Sequence, residues 1–303
     1  MRPEARDAVR QFGDARLIVD RQAFERDFDR LPFGYDHNLS DLDLFSIESL
    51  RTVAAKYDRE VFVSAGAPTP DTKFYSVRHS TCSPLEALDE LESGNHRVLL
   101  KRPEMYDARY GDLMHELFRQ VVEMRGGLRG ERVVRLASSI LVSSAAAITP
   151  FHFDPEISFF FQISGEKIYH LYSPAVLTEP ELERFYNMGI VNIGQVDLKG
   201  RDPSCEHVFR LFGGHGMHQP QNCPHWVETR GERSISYVFS FETDATRARG
   251  RTRAFNHHMR SIGLRPSPPG THRALDERKA GIMQVVIPLR KGARSAFDRA
   301  LGR

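Results

Sequence analysis

A chain of 303 residues, 40% of them hydrophobic, with 42 Lys+Arg against 40 Asp+Glu, is long enough for one large domain or two ordinary ones and can build a proper core. No run approaches the ~18 to 20 apolar residues of a membrane span, and the charged start MRPEARDAVRQFGDARLIVD lacks the apolar segment of a signal peptide, so a cytoplasmic globular protein is expected. Cys82, Cys205 and Cys223 fit no zinc-finger spacing and, being odd in number, no disulfide framework.

Residues 1–131 read as helical and strand cover. The first 45 residues suggest short helices or irregular chain, and Ser46 to Tyr57 has the spacing of an amphipathic helix. Strands are predicted over Arg59 to Ser64 and Lys73 to Arg78. A helix begins at Ser83, with Pro84 at its first position and Glu86 placed for a capping box, and Gly94 closes it. His96 to Lys101 reads as a strand and Asp112 to Met124 as a helix with one apolar face, ended by Gly126 and Gly127. From 132 to 245 the texture changes to VVRLASSILVSS, ISFFFQIS, EKIYHLYS, HVFRLF and SISYVFSF, separated by turns, which predicts a mainly β core. Residues 246–303 return to helix, broken at Leu264 to Gly270 by three prolines. This last segment is basic, with 14 Lys/Arg against 3 Asp/Glu over 245–303. Such a tail suits nucleic acid or another polyanion; the plainer reading is a segment folded onto the acidic body or a solvated face.

The chemistry sits in Thr149-Pro-Phe-His152-Phe-Asp154. On a strand, residues i and i+2 share a face, so His152 and Asp154 can reach one ion. A third donor stands 73 residues on, His225 in CPHWVE. Two imidazoles and a carboxylate form the facial triad that suits Fe(II) and leaves positions open for oxygen and a bidentate co-substrate. Lys167, on the next strand, is placed to enter the same barrel mouth, where a buried ammonium requires an anion. The far carboxylate of 2-oxoglutarate meets that requirement, with the Thr149 hydroxyl as a further donor.

The segment TPFHFDPEISFFFQISGEKIYHLYSP resembles the core motif of the JmjC and cupin-8 family, through Thr149, His152, Asp154, Gln162, Gly165, Lys167 and Pro174. PHWVE and SISYVFSF resemble that family's distal histidine and closing strand. The resemblance implies an α+β, mainly β fold with a double-stranded β-helix (jelly-roll or cupin barrel) over 132–245. It implies Fe(II) on His152, Asp154 and His225, and 2-oxoglutarate on Thr149 and Lys167. Phe160 is expected to touch the co-substrate, and so is Ser240, which stands where some relatives place an Asn facing it. Ser158 likewise replaces a frequent Asn. The implied activity is a dioxygenase, with hydroxylation of a protein side chain or a small molecule preferred among its outcomes.

His218 is the rival third ligand. His170 is expected to face away from Lys167, and Trp226 to pack behind His225 and orient it. His257 and His258, adjacent on a helix, diverge by about 100 degrees and do not chelate together. Two other classes of function compete: a metal-binding cupin that performs no oxygenation, such as a sensor or isomerase-like enzyme, and a regulatory nucleic-acid-binding protein with a silent barrel. The partners expected are 2-oxoglutarate and O2, with no membrane, and the chain is open to homodimerisation.

Overall fold

The computed structural model describes residues 12–59, 61–77, 82–91, 96–187 and 193–300, the last ten as backbone. The chain divides into two compact units. The first comprises the described parts of Met1–Gly130 with Arg135–Val176 and Gln195–Phe241, and the second Glu131–Val134, Leu177–Gly194 and Glu242–Arg303.

The first unit is predominantly antiparallel β, and with its helices the chain is α+β. Its strands are β1 (Leu17–Ile18), β2 (Phe33–His37), β3 (Val61–Ala65), β4 (His96–Lys101), β5 (Val133–Ser143), β6 (Ile148–Phe153), β7 (Ile157–Tyr172), β8 (Gly194–Gln195), β9 (Glu206–Leu211), β10 (His215–Gln219) and β11 (Pro224–Thr243). The main hydrogen-bonded path runs β1-β2-β10-β7-β11-β5-β4-β3, with β6 paired to β11 and β9 paired to β7. Two long strands organise it. β7 has 16 residues and β11 has 20, and they pair from His225↔Leu171 to Phe241↔Ile157 with a register shift between Arg230 and Ile235.

β7 corrects an expectation: ISFFFQIS and EKIYHLYS are one strand. Gly165 does not end it. It adopts φ +72 where β11 crosses, and a Cβ there would lie 2.3 Å from the Arg233 carbonyl oxygen, so glycine permits both the left-handed conformation and the close approach.

Period-2 alternation sorts the side chains of β7 and β11 into two cores. Phe159, Phe161, Tyr237, Phe239 and Phe241 join the larger cluster. There α1 (Arg21–Asp27), α2 (Ile47–Ala54), α3 (Pro84–Asp89) and α4 (Ala108–Met124) also contribute. α4 buries Tyr110, Leu113, Met114, Leu117 and Val121, the face its spacing predicts. Phe160 points the other way, into a smaller cluster with Tyr169, Leu171, Leu211, Met217, Cys223 and Val227. α3 begins with the expected capping box, in which Ser83 Oγ accepts from Glu86 N and Glu86 accepts from Ser83 N at 2.7 Å. The predicted closure of that helix at Gly94 lies outside the described residues.

Two further expectations fail. The first 45 residues, read as short helices or irregular chain, contribute sheet, since β2 pairs with β10 (Tyr35↔Gly216, Phe33↔His218). Phe74–Ser76 is a 3-10 turn and not a strand. Ser76 turns back to donate from both its amide and hydroxyl to the Lys73 carbonyl, which closes a turn in place of a strand; Arg78 lies outside the described residues.

In the second unit α5 (Glu179–Asn187), α6 (Asp244–Ser261) and α7 (Arg273–Ala300) follow the helical reading, with a non-helical stretch at the predicted Pro-rich interruption. Gly250 of α6 lies against Tyr186 of α5, so closely that a Cβ would stand 2.6 Å from the ring. No described helix is long and apolar enough to cross a membrane.

Candidate metal and anion site

β6 and β11 lie antiparallel with His152 directly opposite His225, and the ring centroids are 4.2 Å apart. Asp154 follows the end of β6. One donor atom from each of the three residues lies within 4.8 Å of the others, with Nε2 to carboxylate separations of 4.0 Å from His152 and 3.8 Å from His225. Each imidazole is fixed by its own strand: His152 Nδ1 donates to the Pro150 carbonyl at 2.7 Å, and His225 Nδ1 donates to the Cys223 carbonyl at 3.1 Å. A carbonyl only accepts, so both Nδ1 atoms carry the proton and both Nε2 lone pairs face Asp154, the state a metal requires. Burial, and after it the neighbouring His225, pushes His152 down to about 3, which keeps that ring neutral at ordinary pH. Gln219 Nε2 donates to Asp154 Oδ2 at 3.3 Å. The donor set, two nitrogens and a carboxylate on one side with the rest open, fits a non-haem Fe(II) centre.

Thr149 stands three residues before His152, an odd step that would ordinarily put it on the opposite face. A bulge reverses this. His225↔His152 is followed by Val227↔Thr149, so β6 holds one more residue than β11 between these pairs. Directly opposed residues share a face, and His225 and Val227 are two apart. The extra residue therefore turns Thr149 onto the face of the triad.

Lys167 is 3% exposed and sits opposite Thr229 of β11 and Leu211 of β9. Its Nζ lies 5.6 Å from the Phe160 ring centroid, and no hydrogen bond or ion pair holds it among the described residues. Burial, and then the charge of Arg97, pushes its ammonium down to about 7. Phe160 also packs 4.6 Å from Tyr169, so the structure brings Phe160 beside Lys167. Ser240 is opposite Ser158, and its hydroxyl accepts from Arg135 Nη1 at 3.0 Å while Arg135 also pairs with Glu156 at 3.1 Å. The segment before the Phe74–Ser76 turn is tied to β6: Ala67 N donates to the Ile148 carbonyl and Phe151 N to that of Pro70, and the Phe74 ring lies 4.8 Å from His152.

His218, the rival ligand, is separated from this group. It is buried between Phe28, Phe33 and Phe159. Both ring nitrogens are engaged, Nε2 accepting from Asp29 N at 3.0 Å and Nδ1 donating to the Ser158 carbonyl at 3.2 Å. Trp226 does not orient His225. Its ring stacks on His170 at 3.7 Å, because residues adjacent on a strand point to opposite faces, and the backbone of Cys223 performs the orienting instead. His170 faces away from Lys167, as expected, and binds Glu206 at 2.8 Å. His257 and His258 have centroids 5.9 Å apart on α6, and His258 contacts Arg290. Arg97, half-buried near Lys167, was not singled out from the sequence; an arginine in HRVLLK carries no local mark of a site.

No protein-family model matches the chain, and no curated protein matches it. Solved structures do. An X-ray structure of Escherichia coli YcfD aligns with TM-score 0.53 and 17% identity over 90% of this chain and 68% of that one. A crystal structure described as Escherichia coli ribosomal oxygenase YcfD gives 0.52 and 17% over the same shares. A YcfD structure in complex with cobalt and 2-oxoglutarate gives 0.53 and 18%, again over 90% and 68%. At this identity the likeness establishes a shared fold.

Proposed function

We propose that this chain is an Fe(II)- and 2-oxoglutarate-dependent oxygenase on a double-stranded β-helix, with His152, Asp154 and His225 as metal ligands and Lys167 and Thr149 holding the co-substrate. The observation that carries this is the pairing of two groups in one interior: a His-Asp-His cluster with its imidazole Nε2 atoms turned to the carboxylate, and a buried lysine with no ion pair among the described residues. A cupin that only bound metal would have no use for that cation. The fold shared with oxygenase structures, one of them holding cobalt and 2-oxoglutarate, supports the same reading.

When bound, iron and 2-oxoglutarate supply the oxidation: O2 is consumed, 2-oxoglutarate becomes succinate and carbon dioxide, and one oxygen atom enters a substrate C–H bond. The chain's part is to bind, orient and exclude. His152 and His225 present Nε2 because their Nδ1 protons are committed to carbonyls. Lys167 takes the far carboxylate, and that charge offsets the cost of burying the ammonium. Thr149, turned inward by the bulge, offers a hydroxyl to the same ligand. Phe74 and Phe160 keep the interior apolar and restrict water. Hydroxylation of a protein side chain is the outcome to test first, and because the neighbours include ribosomal oxygenases, ribosomal proteins are the first substrates to try.

The test is succinate formation from 2-oxoglutarate with Fe(II), together with calorimetric binding of 2-oxoglutarate to the Co(II)-loaded protein. His152→Ala and Asp154→Ala are expected to abolish metal binding and turnover. Lys167→Ala is expected to keep the metal and lose 2-oxoglutarate. Wild-type protein that binds no 2-oxoglutarate overturns the proposal, and a Lys167→Ala variant of unchanged activity favours a metal cupin that does no oxygenation.

A further inference from the structure

β4 is buried on one face and half-buried on the other. Val98 and Leu100 enter the larger core, so Arg97 and Leu99 point the other way. Leu99 is opposite Leu141 of β5, and Leu141 packs against the inner cluster of Phe160, Tyr169 and Val227. Arg97, one alternation along and opposite Ser143, therefore faces the interior that Lys167 enters. Its guanidinium has no hydrogen bond or ion pair among the described residues. Burial lowers it to about 10, and its charge is felt at Lys167, at His152 and at Tyr169. Arg97 and Lys167 thus act on one interior, and neither has an ion pair among the described residues.

One carboxylate can serve both. Its two oxygens accept from an ammonium on one side and a planar guanidinium fork on the other, and such charge-assisted bonds are about twice as strong as neutral ones. We propose that Arg97 is a specificity-determining residue that shares the far carboxylate of the bound 2-oxo acid with Lys167, selecting a ligand with an anionic far end over one ending in a methyl group. This rests on the co-substrate reading above and adds a residue to it.

The experiment compares 2-oxoglutarate with 2-oxopentanoate, which carries a methyl group in place of the far carboxylate, by calorimetry on Co(II)-loaded wild type, Arg97→Gln and Arg97→Lys. Arg97→Gln is expected to weaken 2-oxoglutarate by about 10- to 100-fold and to leave 2-oxopentanoate within about 3-fold. Arg97→Lys, which keeps the charge and loses the fork, falls between, with the ratio of the two affinities reduced by at least about 3-fold. If Arg97→Gln does not fold, the Arg97→Lys ratio decides alone, and an unchanged ratio overturns the proposal. It is also overturned if Arg97→Gln binds 2-oxoglutarate like wild type, or if both ligands weaken equally, which marks a structural role. Wild type that fails to bind 2-oxoglutarate overturns the function reading and this one with it, a result distinct from binding that is indifferent to Arg97.

Discussion

His152 and His225 show how little a ligand needs from distant parts of the chain once it is on a strand. Each hands its Nδ1 proton to the carbonyl two residues before it, so tautomer and ring angle are set locally. Lys167 is the opposite case, a charge whose position is costly until a ligand arrives. Its ammonium falls from the ordinary 10.5 to about 7. Between those values the unfolded chain binds a proton that the folded one lacks, so stability rises with pH across that window; below about pH 7 the penalty is complete. Lys167→Met is therefore expected to stabilise the ligand-free protein at pH 6 by on the order of 1–4 kcal/mol, and the gain should shrink as pH approaches 10. Melting temperatures across pH 6–10 test this; a gain that grows with pH would contradict it. Saturating 2-oxoglutarate should raise the melting temperature of wild type and leave that of Lys167→Met nearly unchanged.

At the scale of elements, the site depends on two departures from regular sheet. The β6 bulge puts Thr149 with His152, and the bend at Gly165 lets β7 continue from the Phe159–Phe161 core to Lys167. Gly165→Ala places a methyl group 2.3 Å from the Arg233 oxygen and 2.9 Å from Ser234 Cα at φ +72. The backbone must move, at a cost of about 2–4 kcal/mol, visible as a lower urea midpoint; an unchanged midpoint would mean that β11 yields freely. Phe74→Ala removes the aromatic ring 4.8 Å from His152 without touching a ligand. It is expected to leave metal affinity within about 3-fold while admitting water to the site, read as a larger share of succinate formed without substrate oxidation.

At the scale of the whole chain, the basic C-terminal segment is less available than its composition suggests. Arg253 pairs with Glu179, Arg260 with the buried Glu183, Arg247 with Glu242 and Lys279 with Asp276, so several of its cations are spent inside the second unit. Arg260 grips Glu183 with two bonds of 2.8 and 2.9 Å. Arg260→Met would strand a buried carboxylate, and the expected loss is about 2–4 kcal/mol, seen by calorimetry as a lower melting temperature. Duplex DNA is expected to bind weakly at 150 mM salt, with a shallow dependence of log K on log salt; a steep slope abolished by deleting 245–303 would restore the nucleic-acid reading.

The sequence by itself determined whatever depends on neighbours along the chain. The His152-x-Asp154 pair follows from the strand period, the α3 cap from Ser83 and Glu86, the α4 face from helical spacing, and the motif from Thr149 to Lys167 announces a metal and an anion. Tertiary structure decided what depends on pairing across the chain. It brought His225 opposite His152 and walled His218 among phenylalanines, a choice that two histidines in similar strand contexts cannot make. It moved Trp226 onto His170, turned KFYS into a 3-10 turn and recruited the N-terminal β2 into the sheet. It also brought the charge of Arg97 to bear on Lys167, because the half-buried face of a strand hides in its local pattern which interior each side chain enters.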